Sequence, residues 1–356
     1  LEISDRVGEG QTLNNMAGVY LAQGRYLNAL NTYEEALAIY LKIDDQAGEG
    51  STLNNIARVY QEQGYYAEAL NTFEEALAIY RELGNQAGEG TTLNNIAGID
   101  FAQGRYIEAL VTYNEALAII SELGDRAGEG ATLNNIALVF KTQGRYTEAL
   151  SIFEEALAIS IEVGDRTGGG TTLSNIAGVY FSQGRYAEAL ITYEKALAIN
   201  REVGDRAGEG STLNNIALVY KMQGRYAEAL TNYEAALAIH REVGNQTGEG
   251  TTLSNLAGVY YAQGRNVEAL TIYEEALAIS RGVGDRLGEG TALHNIGLIY
   301  QSQGQYVEAL DAYEDALAVS REVGDRAGYG TTLNNIAGIY DAQGLYDEAL
   351  ATYQEA

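Results

Sequence analysis

The 356-residue chain has no cysteine, no proline and no tryptophan, and only 2 histidines and 2 methionines. Without cysteine there are no disulfides, thiolate metal sites or cysteine nucleophiles. Two histidines leave little material for a metal centre or a general base. Basic residues are scarce too: 22 Lys and Arg face 49 Asp and Glu, a formal net charge of -27. That balance argues against nucleic acid, whose phosphates select Lys/Arg surfaces, and against anionic membrane surfaces. No stretch approaches the roughly 18 consecutive apolar residues of a membrane span. Apolar residues still make up 46% of the chain, too many for disorder.

What the chain has instead is repetition. One phrase recurs every 40 residues from end to end, which gives 356/40, or 8.9 copies. A fixed period of this size marks a solenoid or array. The units read as 5–44, 45–84, 85–124, 125–164, 165–204, 205–244, 245–284, 285–324 and a truncated 325–356. Positions are numbered by the first copy, so position 15 means Asn15 and its equivalents at 40-residue intervals. Both ends read as cut: Leu1-Glu2-Ile3-Ser4-Asp5-Arg6 matches a joint between units, and Thr352 to Ala356 stops partway through one. A segment of a larger protein is expected.

Within 125–164, Leu133, Ile136, Ala137 and Phe140 fall at i, i+3, i+4 and i+7, one face of an amphipathic helix. Tyr146, Ala149, Leu150, Phe153, Ala156 and Leu157 continue the spacing on a second helix. Gly144 between them suits a helix end. At Gly164-Asp165 the glycine stops one helix and the aspartate caps the next. No strand pattern occurs, so an all-α chain is expected. A Gly-x-Gly opens each first helix, although each glycine costs roughly 1 kcal/mol against alanine there. Close backbone packing against the preceding helix is the expected reason, and Gly168-Gly169-Gly170 is expected to be the softest joint.

Leu13, Met16, Ala17, Tyr20, Gln23-Gly24, Tyr26, Ala29, Tyr33 and Ala36 together resemble the mask of the tetratricopeptide repeat family, and the resemblance covers the whole chain. Two departures stand out. The period is 40 rather than about 34, and the proline common near the end of the second helix is absent. The long-period form, with its Gly-Asp-Arg-x-Gly-Glu-Gly joint, is similar to the subclass found in the polarity adaptor Pins, kinesin light chain and many bacterial regulatory proteins. The resemblance implies an all-α solenoid of about nine helix-turn-helix repeats, coiled as a right-handed superhelix with a concave groove. It also implies a cytoplasmic, non-catalytic scaffold without cofactor or metal, whose partner is a protein or peptide.

A rotation of 100° per residue puts position 15 about 200° from the core position 13, beside positions 11, 18 and 22. Position 15 is asparagine in every copy: Asn15, Asn55, Asn95, Asn135, Asn175, Asn215, Asn255, Asn295 and Asn335. Asparagine is not a favoured mid-helix residue, so propensity does not explain this. A carboxamide offers two donors and an acceptor and can hold both the N–H and C=O of an extended peptide. The resemblance implies such a backbone-binding role for all nine. Two other readings stand beside it: bonds to a neighbouring helix, and inheritance by recent duplication.

Positions 18 and 21 alternate with a period of two repeats. Where 18 is glycine, 21 is mostly large and apolar, which suggests apolar sockets at Phe101, Phe181 and Tyr261. Arg58, Lys141 and Lys221 are the only basic groups expected on the inner stripe. Position 11 is never basic, so a strongly acidic C-terminal peptide is not the expected ligand. Acidic pairs such as Glu34-Glu35, Glu74-Glu75 and Glu154-Glu155 fall on the second helix and read as a solvated outer face.

The glycine-rich joints are not phosphate loops, since they lack both the lysine and the preceding strand. His240 and His294 have no ligand-spaced partner and read as incidental. Asp100 occupies a slot filled by Tyr20, Tyr60 and Phe140 elsewhere. An unpaired buried carboxylate is costly, so either Asp100 reaches solvent or the third repeat is loose. Asn266 replaces the aromatic of Tyr26 and Tyr226, without a functional account. Peptide scaffolding is the leading expectation. End-to-end self-association of uncapped repeats, or service as the sensor arm of a larger bacterial effector, are the alternatives.

Overall fold

A computed structural model describes residues 2–356, and every regular element among them is an α-helix. The first repeat pairs α1 (Glu2–Ala22) with α2 (Tyr26–Ile43), the second α3 (Gln46–Gln63) with α4 (Tyr66–Glu82), the third α5 (Gln86–Ala102) with α6 (Tyr106–Glu122). Next come α7 (Arg126–Thr142) and α8 (Tyr146–Val163), α9 (Arg166–Ser182) and α10 (Tyr186–Val203), α11 (Arg206–Met222) and α12 (Tyr226–Val243). The last pairs are α13 (Gln246–Ala262) and α14 (Asn266–Val283), α15 (Arg286–Ser302) and α16 (Tyr306–Val323), α17 (Arg326–Ala342) and α18 (Tyr346–Glu355). Each odd helix packs on its even partner, and each even helix on the next odd one. The chain is an α-solenoid of about nine helix-turn-helix repeats.

Two signals punctuate every repeat. Gly24 leaves α1 at φ 69°, a conformation open to a residue without a Cβ. At the joint, Asp45, Asn85, Asp125, Asp165, Asp205, Asn245, Asp285 and Asp325 each accept a bond from the backbone N–H three residues on, at 2.8–3.0 Å. The Gly-Asp device read from the sequence is therefore present. The joint expected at Ser4-Asp5 is not: α1 runs through it. Serine stands there where most joints have a left-handed glycine. Leu1 lies outside the described residues.

The capping donor is glycine for a packing reason as well. A Cβ at Gly88 would lie 2.5 Å from Tyr80 Cδ1 on the preceding α4, and one at Gly10 would lie 2.8 Å from Tyr40 Cζ on its own partner α2. The first glycine thus packs against the preceding helix, as expected, and the second against its own repeat.

Alanines such as Ala17, Ala29 and Ala36 are fully buried and let the helices approach. Tyr33, Phe73, Tyr113, Phe153, Tyr193, Tyr233, Tyr273 and Tyr313 fill the space between pairs. Each such side chain contributes about 1.5–3 kcal/mol by leaving water. Position 19, which the sequence reading does not assign, is a core slot: Val59, Ile99, Val139, Val179, Val219, Val259, Ile299 and Ile339 are all 0% exposed. Position 20, read as core, is only half-buried and serves as a platform for arginine. Arg25 lies 4.6 Å from the Tyr20 ring centroid, Arg145 4.2 Å from Phe140, and Arg185 4.4 Å from Tyr180. Such cation–π stacking is favourable by about 0.5–1 kcal/mol at exposed sites.

That platform explains Asp100. Its carboxylate is buried, and Arg105 Nε donates to Oδ1 at 2.9 Å. Asp100 therefore neither reaches solvent nor stands unpaired. A carboxylate has replaced the ring beneath the same arginine.

Outside, arginines and glutamates bridge the joints. Arg126 contacts Glu129 and Glu162 at 2.5 and 2.8 Å, and Arg241 contacts Glu249 and Glu275 at 2.6 and 2.8 Å. Gly169 replaces one such glutamate, so Arg166 pairs with Glu202 alone.

The solenoid coils far enough to touch itself. The Gln246 N–H donates to the Gln23 carbonyl at 3.1 Å, and Tyr26 Oη lies 3.0 Å from Thr247 Oγ1. Gln63 Nε2 donates to the Gly284 carbonyl at 3.4 Å, and Tyr65 Oη to Glu322 at 3.2 Å. A Cβ on Gly64 would stand 3.0 Å from Leu287 Cγ and 3.2 Å from Val323 Cβ. Repeats 1 and 2 thus close a seam against repeats 6 to 8.

Candidate functional site

The odd helices turn their free faces inward, and the seam makes this inner face a lumen. At the seam α3 of the first turn lies beside α11 and α13 of the next. A cleft of about 400 Å³ there brings Arg58 and Glu62 opposite Ser211, Asn214, Asn215 and Thr251. Arg58 and Asn215, both read from the sequence as inner-face residues, therefore share one site. Two buried polar atoms beside it, His240 Nδ1 and Thr252 Oγ1, have no partner among the described residues. Desolvation beside the seam pushes the Glu62 carboxyl up, with Arg58 opposing and Asp285 reinforcing. Asp285, buried by the seam, is raised as well. Desolvation is the main cause and Glu289 adds to it, against the backbone N–H groups of Gly288 and Leu287.

The position-15 asparagines form rungs between repeats. Asn95 Nδ2 donates to Asn54 Oδ1 at 3.2 Å, Asn135 to Asn94 at 3.2 Å, Asn175 to Asn134 at 3.3 Å and Asn255 to Asn214 at 3.0 Å. Position 14 in turn bonds the next repeat's position 12, as in Asn14 Nδ2 to Thr52 Oγ1 at 2.8 Å and Asn134 Nδ2 to Thr172 Oγ1 at 2.6 Å. Where position 14 is Ser174 or Ser254, the shorter side chain leaves Asn215 and Asn295 without a rung. Asn15 and Asn55 likewise have none.

A carboxamide offers two donors and one oxygen acceptor. One N–H is used in each rung. The Oδ1 of every position-15 asparagine remains without a protein donor among the described residues. Asn55, Asn95, Asn135, Asn175, Asn215, Asn255, Asn295 and Asn335 are half-buried, and Asn15 is exposed. The neighbour-bonding role weighed from the sequence is therefore real for the rung-forming copies, and it leaves the oxygens open to the lumen.

His294 belongs to this ladder. Its Nδ1 lies 2.9 Å from Thr332 Oγ1 and its Nε2 3.3 Å from Asn335 Nδ2. As Nε2 must accept from Asn335, Nδ1–H donates to Thr332, reproducing an asparagine's polarity. Burial lowers the His294 pKa and favours this neutral form.

The alternation at positions 18 and 21 acquires a cause between repeats. Lys141 Nζ lies over Gly178, 2.8 Å from where a Cβ would stand, and Lys221 Nζ lies over Gly258 at 2.5 Å. Gln61 covers Gly98 in the same way, at 3.4 Å. In three of the four cases a long polar side chain thus covers the glycine of the next repeat; Gln301 instead accepts from Tyr313 Oη at 2.7 Å and leaves Gly338 open. Phe101 and Phe181 tilt against Tyr106 and Tyr186 at centroid distances of 6.0 and 5.8 Å, and Tyr261 packs beside Tyr273. These aromatics lie along the wall, two repeats apart, and are not gathered into one pocket.

Sequence reasoning missed the seam. Its signal was present: Tyr65 stands where most copies have arginine, Glu62 is the only charge at position 22, and Leu287 replaces the usual small residue. No group of His, Cys, Asp and Glu suited to a metal occurs among the described residues. No helix among them is long and apolar enough to cross a membrane.

Stacked helix pairs around a polar lumen define a helical-repeat solenoid. The model of the tetratricopeptide repeat matches residues 9–82, 88–162, 170–242, 248–322 and 288–356, and the chain belongs to this family. No curated protein matches it in sequence. Solved structures are similar in fold. A Rap conjugation gene regulator of the plasmid pLS20, in complex with the Phr* peptide, aligns with TM-score 0.63 and 12% identity over 89% of this chain and 96% of its own. A Rap protein complexed with Competence and Sporulation Factor gives 0.60 and 15%, over 99% and 96%. A signal transduction ATPase with a tetratricopeptide repeat sensor, from Pyrococcus horikoshii, gives 0.56 and 16%, over 92% of this chain and 51% of its own. At these identities the likeness shows the fold alone.

Proposed function

We propose that this chain is a non-catalytic protein-interaction scaffold whose lumen holds an extended peptide, from a partner or from its own parent chain. The observation that carries the reading is the row of asparagine Oδ1 atoms without protein donors, one per repeat along the inner face. Each is an acceptor for a peptide N–H, and the remaining amide hydrogens suit a peptide C=O. Phe101, Phe181 and Tyr261 supply apolar wall for side chains. The Rap proteins of similar fold that were solved with a factor or peptide bound support the reading.

The cleanest test uses Asn215 and Asn295, because neither bonds a neighbouring repeat. A pull-down from source lysate compares the native chain with an Asn215→Ala/Asn295→Ala bait. Loss of a partner from the second bait, with unchanged circular dichroism, supports the reading. Equal recovery by both contradicts it.

A further inference from the structure

Lys141 and Lys221 are unlike the arginines of the outer edge. Arg81, Arg126, Arg206, Arg241 and Arg286 each hold glutamates on the outer edge. The two lysines turn inward, and no carboxylate lies within ion-pair distance of either among the described residues. Burial alone, with no acid opposing it, pushes both ammonium groups below the ordinary lysine value.

Their setting is built twice. Lys141 Nζ occupies the space a Cβ on Gly178 would take, bordered by Tyr193 Oη 3.6 Å from that point. Lys221 does the same over Gly258, with Tyr273 Oη at 3.4 Å. Glycine inside a helix costs about 1 kcal/mol against alanine, so the space is kept at some expense. In repeats 4 to 7 no acidic residue occupies the inner positions 11, 15, 18 or 22, although the chain carries a net charge of -27.

We propose that Lys141 and Lys221, each beside a tyrosine hydroxyl, receive two acidic side chains of the peptide held in the lumen. This rests on the peptide-scaffold reading and adds the class of peptide: an internal segment with two spaced carboxylates. The lysines lie 80 residues, or two repeats, apart. Adjacent inner helices at about 10 Å spacing put them about 20 Å apart. An extended chain rises about 3.3 Å per residue, so the carboxylates fall about six residues apart. An even separation puts both on one face of the strand.

The test is selection of a displayed random dodecapeptide library on the immobilised full chain, on Lys141→Gln/Lys221→Gln, and on Asn215→Ala/Asn295→Ala. Glutamine is a safe replacement, since Gln61 already covers Gly98 in this way. Native chain is expected to enrich peptides with Asp or Glu pairs about six residues apart. The leading synthetic peptide should bind about tenfold more weakly for each lysine removed, and its affinity for native chain should fall with salt. Enriched peptides without acidic pairs, bound equally by the glutamine variant, would overturn the lysine assignment while leaving the peptide reading intact. No enrichment on native chain would overturn both.

Discussion

Repeat 2 (45–84) and repeat 6 (205–244) share one mask and one pair of helices, yet their departures do different things. Repeat 2 carries Arg58, Glu62 and Tyr65, and Gln63 and Gly64 lie buried between turns. Repeat 6 carries Lys221, which points into the lumen and meets no opposite charge. Position 18 is Arg58 in the one and Leu218 in the other. Repeated residues build the stack, and each repeat needs only its neighbours for that. Departures from the repeat record contacts that a neighbour cannot supply, with the next turn at repeat 2 and with a ligand, on our reading, at repeat 6.

Four changes sharpen or break this contrast. The largest effect belongs to the shared stack: Phe153→Ala should cost about 3–5 kcal/mol. Hydrogen exchange should then quicken around α7 to α9 while the seam amide of Gln246 keeps its protection. Quickening along the whole chain would mean the stack is not local.

Next is the seam. Leu287→Asp sets a carboxylate against Gly64 and close to Asp285, an unpaired burial of about 2–5 kcal/mol. Small-angle scattering should show a longer particle. Ala207→Asp, at an equivalent but exposed site, should leave the shape unchanged. Identical profiles for both would dissolve the distinction between the two repeats.

Asp100 comes third. Asp100→Asn should lose about 1 kcal/mol by weakening the bond from Arg105. Asp100→Tyr should restore most of it by returning the ring. A melt in which tyrosine is worse than asparagine would refute the platform account. The smallest effect is at Gly169, where an added Cβ would meet only Ser160 and Leu157, at 3.8 and 3.9 Å. Gly169→Glu should gain about 0.5–1 kcal/mol from helix propensity and a new partner for Arg166.

Acid should separate the regions as well. Burial lowers His240 and His294, so the unfolded chain binds protons first. The stability they contribute is complete above about pH 6.5 and is lost as pH falls through their depressed folded values. Glu62 and Asp285 are raised, so the folded chain binds protons first there. Stability is gained at these two as pH falls from the raised folded values to about 4. His294→Asn should remove the His294 share of the first effect, leaving that of His240, without touching the second.

The helices, turns and caps were legible because they rest on local signals, glycine at left-handed positions and aspartate beside it. The inner-face asparagines were legible because 100° per residue fixes a face. The seam was not, since Gln23 and Gln246 meet only after several repeats of accumulated rotation that no single repeat encodes. Position 20 misled because an aromatic at core spacing looks the same whether it is buried or lies under an arginine. Asp100 was readable only together with Arg105 one turn away, and the lysine–glycine pairing only across two repeats.

The most direct measurement is the affinity of the selected peptide and of its analogues N-methylated at single backbone amides, for native chain and for Asn215→Ala/Asn295→Ala. If asparagine oxygens hold the peptide backbone, methylation of the amides facing them should weaken native binding about tenfold. The same methylation should change the double variant far less, since the contact is already gone. Equal losses in both proteins, or no loss in either, would contradict backbone recognition by the asparagine ladder.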